Sequence, residues 1–284
     1  MYKAEIIEDN LCTDTGERLT SFIVSYPRFV HAELMTHRMF SRNSSSSRAI
    51  PNARMISHIE QDPVIPVWWG KNQKGMQAVA EIDNKFAAET AWLEARDVML
   101  GYSRRLAKLG MHKQIANRLL EPWMFITVLI TATEYDNFFH LRTSQVDHLP
   151  HNLSFDPEFP AQPEIQKIAR MMWELHNEQT PTPVEVGYWH LPFVTKEERN
   201  TLSLDVRQKL SVARCARVSY LNHDGTQDPE SDKRLYMQLS TAGHWSPFEH
   251  IAQAQETDAR FGNLFGWKQY RKQFSNENAG RKLD

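Results

Sequence analysis

Cysteine is nearly absent from this chain. Cys12 and Cys215 are the two among 284 residues, too few and too far apart for a disulfide framework or a Cys-x-x-Cys metal site. Each reads as a small buried apolar side chain rather than as a nucleophile. A basic excess is missing too. The formal net charge of -2 argues against broad nucleic-acid or membrane-surface binding, because those partners demand clustered positive charge. Any anion site must therefore be local. No apolar run reaches the roughly 18 residues that cross a bilayer, and the opening residues Met1 to Asp9 lack the charged-then-apolar form of a leader. A soluble, cytoplasmic protein with no membrane partner is expected. The eleven glycines include no Gly-x-Gly pair, which excludes both a dinucleotide fingerprint and a Walker-type phosphate loop. Neither Gly-x-Ser-x-Gly nor His-Glu-x-x-His occurs. A bound nucleotide would have to be held by scattered contacts.

What is present begins with residues 29–51. Good helix formers and no Gly or Pro predict a helix from about Phe29 to Phe40, with His37 and Arg38 in its last turn. Ser44 to Ser47 follow Asn43 and lie between Arg42 and Arg48. Short hydroxyl side chains compete with helical hydrogen bonds, so a polar loop is expected there. Such a loop, rich in hydroxyl donors and closed by arginines, suits a phosphate or another compact anion. A solvated serine linker is the alternative, and the apolar closure at Ala49-Ile50-Pro51 speaks against it.

With 41% hydrophobic residues the chain can bury a real core, as one large domain or two modest ones. Residues 3–26 read as a β-hairpin turning at Asp14-Thr15-Gly16, residues 52–74 as irregular, and residues 76–109 as a long helix stopped by Gly110. A short helix is expected over His112 to Leu120, a buried strand over Phe125 to Thr131 and a helix over Thr133 to Arg142. Residues 143–160 are irregular. His148 and His151 there, near Asp147 and Asp156, match no standard metal spacing, and no metal is expected. An amphipathic helix starts at Ala161, with Ile165, Ile168, Met172 and Leu175 on one face. Then come a strand over Val184 to Leu191, a helix over Leu204 to Arg217, a polar loop over Asn222 to Asp228, and a helix over Glu230 to Ala242 capped by Gly243. His244, Ser246, Glu249 and His250 crowd polar chemistry into a turn, and a last helix is expected from Asn263 to Phe274.

Four stretches together resemble one known family. His37-Arg38, seven residues, then Ser46 is similar to the Arg-His-Arg-x7-Ser signature of flavin-dependent thymidylate synthases. Asn137-Phe-Phe-His-Leu-Arg142 with Ala161-Gln-Pro-Glu-Ile-Gln166 resembles that family's Asn-Phe-x-x-Leu-Arg and Ala-Gln-x-Glu-Ile segment. Ala213-Arg-Cys-Ala-Arg-Val-Ser-Tyr220 and Gly243-His-Trp-Ser-Pro-Phe-Glu-His250 resemble the two motifs that ordinarily open the family's chain. Here they come last, so the resemblance implies a circular permutation.

The resemblance implies an α+β fold with an antiparallel or mixed sheet and long helices. It also implies a single domain over 1–284, whose 1–177 half holds the His-Arg motif and whose 178–284 half is permuted. The implied reaction is reductive methylation of dUMP to dTMP, with FAD carrying electrons from NADPH and methylenetetrahydrofolate giving the carbon. Arg142 would meet the pyrimidine as the catalytic residue, while Glu33, Ser46, Ser47, Arg48 and Arg118 would bind the nucleotide. His37, Arg38, Thr131, Thr133, Asn137, His244, Ser246 and Glu249 would line the flavin. A homotetramer with shared sites is implied as well. The chain departs from the family pattern in three ways: Thr36 stands for the first Arg, Glu33 for a glutamine and Ser44 for an acidic residue. In addition, the segment between Arg142 and Ala161 is lengthened. Two alternatives stay open: a related flavin and folate reaction on another pyrimidine nucleotide, such as hydroxymethylation, and a non-catalytic nucleotide-binding homologue.

Overall fold

The computed structural model describes residues 1–144, 155–220 and 228–277. β1 (Lys3–Cys12) and β2 (Arg18–Pro27) form the expected antiparallel hairpin, and Gly16 takes the φ of 75° that its turn requires. α1 spans only His31–Met35, well short of the predicted end at Phe40. Thr36 folds its hydroxyl back onto the Glu33 carbonyl at 2.7 Å, and the Arg42 guanidinium donates to the carbonyls of Met35 and His37 at 2.9 and 3.2 Å. Carbonyls at the helix end are thus satisfied from outside it, and His37 and Arg38 lie in a turn beyond the helix. β3 (Ser41–Ser44) is the larger departure. Half of the expected serine loop pairs as a strand with residues 128–131, because strand propensity yields to the partner on offer.

α2 (Asn52–Gln61) occupies a stretch read as irregular; its buried face of Met55, Ile56 and Ile59 is short and is followed closely by prolines. α3 (Lys85–Lys108) starts later than predicted, because Gly70 and Glu81 form a backbone bridge and Asn84 caps the Ala87 N–H at 3.0 Å. α4 (Lys113–Ala116) runs into a 3₁₀ turn, Asn117–Trp123, and β4 (Phe125–Ala132) is the strand expected. α5 (Asp136–Arg142) and α6 (Pro163–Glu178) follow, the latter burying Ile165, Ile168 and Met172. The candidate metal loop with Asp147, His148 and His151 and most of the 222–228 loop lie outside the described residues.

The predicted strand over Val184 to Leu191 is two pieces, β5 (Thr182–Val184) and β6 (Trp189–His190), broken at Gly187 with φ 89°. α7 (Lys196–Thr201), unforeseen, is nucleated by a capping box between Thr195 and Glu198. α8 (Leu204–Arg217) and α9 (Pro229–Ala242) match expectation, with Gly243 left-handed at φ 68°. β7 (Ala252–Ala254) and β8 (Arg260–Phe261) follow, and the helix expected over Asn263 to Phe274 is instead β9 (Leu264–Phe265) and β10 (Trp267–Gln269), then a single 3₁₀ turn at Tyr270–Gln273. Gly262 and Gly266, at φ 76° and 64°, break the helical pattern.

The fold is α+β around a mixed sheet of order β3-β4-β2-β1-β5, in which β5 is parallel to β1. Strand alternation gives the sheet two cores. Phe22, Val24, Tyr26, Ile126, Val128 and Ile130 pack with α5 and α6. On the other face, Ile23 and Leu129 meet α8, α9 and Phe248.

A buried polar chain passes between the halves. Asn10 Oδ1 lies 2.6 Å from His190 Nδ1, and His190 Nε2 lies 2.8 Å from Ser21 Oγ. Ser21 Oγ lies 2.6 Å from Thr131 Oγ1, which lies 2.8 Å from His250 Nδ1. Burial holds the His250 imidazole down to about 3, and burial with the Arg199 charge holds His190 well below its ordinary value. Burial, reinforced by nearby arginines, likewise depresses His31, His37 and His176 to about 4. These rings stay neutral in the fold but take up protons in the unfolded chain near 6.5, so stability is complete above that pH and is withdrawn as pH falls from 6.5 towards 4. The urea midpoint should drop steadily between about pH 7 and 5, with each buried histidine withdrawing on the order of 1 kcal/mol per pH unit. A midpoint that stays level across this range would contradict the account.

Candidate functional site

α5 ends on Arg142, which reaches back across the turn after α1. Its Nε donates to His37 Nε2 at 3.1 Å, its Nη1 to Glu33 Oε2 at 3.1 Å and its Nη2 to Thr36 Oγ1 at 3.4 Å. A guanidinium only donates, so His37 must accept and be neutral. Burial first, then the charges of Arg142 and Arg42, lower its pKa to about 4. Phe40 and Phe138 pack on its ring. The Glu33 carboxyl is pushed up by burial, against the pull of Arg142 and with a further push from Glu164. Three of the expected residues, Arg142, Glu33 and His37, are therefore in direct contact, and Thr36 supplies an acceptor where the family pattern has a cation.

The remainder of the serine stretch forms a second group. The Ser46 N–H donates to the Ser219 carbonyl at 3.1 Å, tying this loop to the Ala213–Tyr220 motif. Ser47 Oγ and Arg118 Nη1 each donate to Glu121 Oε1 at 2.7 Å, and Arg28 stands 3.8 Å from the same oxygen. Ser47, Arg118 and the loop are thus gathered, but the Ser47 hydroxyl is occupied and Arg118 is partly neutralised. Arg48 is exposed and has no carboxylate partner among the described residues.

The Ser246–Glu249 turn packs against β3. The Glu249 carboxylate pairs with Arg271, while its carbonyl accepts from Gln269 Nε2 at 3.4 Å. Gln269 Nε2 also donates to Ser41 Oγ at 3.1 Å and Asn263 Oδ1 at 2.8 Å, a junction that no sequence motif marks. Arg38, Asn137, His244 and Ser246 are exposed, and their side chains have no partner among the described residues. None of the four is among the hydrogen-bond partners of Arg142, which are His37, Glu33 and Thr36. Two expected flavin contacts already have partners inside the fold: Thr131 lies in the buried His250 chain, and Thr133 Oγ1 accepts the Phe265 N–H at 3.1 Å. Both cysteines are fully buried, and burial raises the Cys215 thiol, so neither is a nucleophile.

Beside Arg142 lies a feature that sequence reading missed. A cavity of about 790 Å³ opens on Glu33 and Arg142 and is walled by Phe29, Trp68, Trp69 and Trp92. The adjacent Trp68-Trp69 pair was its one signal, and the surrounding prolines masked it.

The model of one protein family, described as thymidylate synthase complementing protein, matches residues 18–182. Among curated proteins no relative matches. Two solved structures of the UMP/dUMP methylase PolB from Streptomyces cacaoi are similar. The one bound with 5-Br UMP is 16% identical over 63% of this chain and 89% of that chain, with a TM-score of 0.46. The one bound with 5-Br dUMP is 20% identical over 57% of this chain and 67% of that chain, with a TM-score of 0.44.

Beyond residue 182 the fold is anchored by Arg214, from the Ala213–Tyr220 motif. Its Nη1 and Nη2 donate to Glu198 at 2.7 and 2.6 Å and its Nε to Asp232 at 3.0 Å, while Arg217 Nε reaches Asp232 at 2.7 Å. Asp232 is 1% exposed and Arg214 5%, so these motif arginines are structural. Removing one member leaves a buried charge without its partner. Asp232→Ala should lower unfolding free energy by about 3–5 kcal/mol in urea titrations; a loss below about 1 kcal/mol, the ceiling for a surface pair, would refute this.

Proposed function

The chain belongs to the thymidylate synthase complementing protein family, and from that premise we propose that it catalyses flavin-dependent reductive methylation of dUMP to dTMP. FAD, NADPH and methylenetetrahydrofolate are the implied cofactor and co-substrates. The observation that carries this reading is Arg142, a guanidinium fixed from three sides by Glu33, Thr36 and His37 at the edge of an aromatic cavity. Arg142 donates to a pyrimidine carbonyl and stabilises the charge that develops when the ring N3 ionises. Neutral His37 orients it without adding competing charge. Ser46 and Arg48 take the nucleotide phosphate, assisted by Arg118.

The donor set suits a flavin dinucleotide. Arg38, Asn137, His244 and Ser246 present polar side chains that the fold leaves unused, matching the amide edge of an isoalloxazine and the charge of a diphosphate. When bound, FAD supplies the reducing equivalents that turn a transferred one-carbon unit into a methyl group. These residues are exposed, and the reading includes the homotetramer implied by the family resemblance, in which neighbouring copies complete each site. It includes as well a single domain over 1–284 with permuted order, since residues 178–284 supply the Pro-Phe-Glu-His motif outside the matched segment.

A second reading has one observation in its favour. Glu33 adds an acceptor beside Arg142, and a carboxylate accepts well from the amino edge of cytosine, so dCMP is the alternative substrate. The purified protein should be yellow, bleach with NADPH and convert dUMP to dTMP when methylenetetrahydrofolate is added. Mass spectrometry of parallel dUMP and dCMP reactions separates the two readings. Arg142→Ala should lower turnover by about 10²–10³-fold, whereas Arg48→Ala should act mainly on KM for the nucleotide, by about 10-fold. A colourless protein that converts neither nucleotide would overturn the proposal.

A further inference from the structure

α3 is the longest helix among the described residues, at 24 residues, yet it is packed on one side alone. α2, α4 and the Asn117–Trp123 turn lie against that side, where Trp92, Met99 and Leu100 join one apolar cluster. The side turned away from them is exposed from Ala87 to Leu109. A helix at a protein surface ordinarily presents charged and polar residues to water. Here the outward stripe is Ala91, Ala95, Val98, Tyr102 and Leu109, interrupted by Glu94 and Arg105. Val98 is 53% exposed, Tyr102 51% and Leu109 74%, so the large apolar side chains of the stripe have no cover among the described residues.

The spacing of the stripe says what fits it. Ala91, Ala95, Val98, Tyr102, Arg105 and Leu109 follow one another at alternating steps of four and three, which is the seam of a helix pair. Its charges are also the unmatched ones. Lys85, Arg96 and Arg104, elsewhere on α3, pair with Glu81, Asp97 and Glu60, whereas Glu94, Arg105 and Lys108 are exposed and have no ion pair among the described residues. Laid antiparallel on a second α3, about a two-fold axis beside Gly101, the stripe completes itself. Ala91 comes opposite Leu109, Val98 opposite Tyr102, and Glu94 falls beside Arg105 and Lys108. Small meets large and acid meets base, each contact being made twice by the symmetry. Gly101 has nothing within 4 Å of the place its Cβ would take, so two helices can cross there at the close limit of about 8 Å between axes. A parallel pair would instead set Glu94 and Arg105 each against its own counterpart, like charge on like.

We propose that the outward stripe of α3 is an interface between two copies of this chain, paired antiparallel with Val98 on Tyr102, Ala91 on Leu109 and Glu94 on Arg105 and Lys108. The family resemblance implies a number of copies and names no surface by which they meet; this surface is read from α3 itself and holds whatever nucleotide the chain acts on. The pair also braces the aromatic cavity from behind, because Trp92, one of its walls, projects from the packed side of the same helix.

Disulfide trapping in the full-length protein tests the pairing. Cys12 and Cys215 are fully buried and do not compete. Residues 91 and 109 lie about 27 Å apart along one helix, too far for a bridge within one chain. The double variant Ala91→Cys with Leu109→Cys should therefore form a covalent dimer under mild oxidation, and neither single variant should. Val98→Arg should halve the mass read by light scattering with the circular dichroism of the parent. Glu94→Lys should raise the dissociation constant of the pair by about 10-fold, and adding Arg105→Glu and Lys108→Glu should return it to within about 3-fold of the parent. A covalent dimer of Ala91→Cys alone would mean a parallel pair and overturns the inference. So does a double variant that does not cross-link, or a mass that ignores Val98→Arg, since α3 is then bare or covered by something other than a second α3. If dTMP forms while no cross-link does, the inference falls and the proposed reaction stands.

Discussion

The pairing of Ser41–Ser44 with Val128–Thr131 is the constraint from which the rest of the polar architecture follows. A strand of serines, an arginine and an asparagine has no apolar reason to join a sheet. It joins because β4 presents an unpaired edge whose backbone groups need partners in a buried setting. Once it is there, Arg42 falls within reach of the carbonyls at the end of α1 and stops that helix. Asn43 donates to the Cys215 carbonyl at 3.2 Å, and Ser41 receives Gln269 at 3.1 Å. The polar edge strand is thus covered by α8 and the C-terminal strands instead of being left open as a template for aggregation.

From that constraint comes a division of the polar side chains into occupied and free. Arg42, Arg214, Arg217, Thr131 and Thr133 satisfy carbonyls, carboxylates or other buried groups inside the fold. Arg38, Arg48, Asn137, His244 and Ser246 are left exposed. Residues of the same type on the same motif end in different classes. Arg38 and Arg42 are four positions apart in the chain, yet one caps a helix and the other is available to a ligand. Arg142 stands between the classes, since its three internal contacts fix its direction and engage three of its five N–H groups.

This division explains what the sequence could reveal. Periodicity located the helices at Leu204–Arg217 and Glu230–Ala242, because an amphipathic stripe and a glycine cap are local signals. The family resemblance singled out Glu33, His37 and Arg142, and the structure puts those three in contact. The strand at Ser41–Ser44 was hidden because its partner is about 90 residues away, and the early end of α1 because Arg42 reaches its carbonyls from that strand. The internal partners of Thr131 and Thr133 were hidden as well: a threonine beside a motif carries no mark of whether His250 or a backbone N–H already holds it. The tryptophan cavity was hidden twice over, since α3, α6 and the 66–82 excursion meet only in three dimensions.

Chain order matters little to such an assembly, which is why the proposed permutation is physically cheap. The halves are joined by β1 beside β5, by Ser46 on Ser219, by Asn43 on Cys215 and by the Ser21–His190 link. None of these contacts depends on which half is synthesised first. Rejoining the ends changes which segment must close as a loop, and loop closure grows only logarithmically with length, by about 0.6 kcal/mol per doubling. Desolvating His190, Ser21, Thr131 and His250 without one another would cost far more than that, because a buried polar group without its partner loses about 1–3 kcal/mol. The shared polar interior thus joins the halves alongside the apolar packing of Ile23 and Leu129 on α8 and α9 and of Cys12 and Leu19 on Trp267.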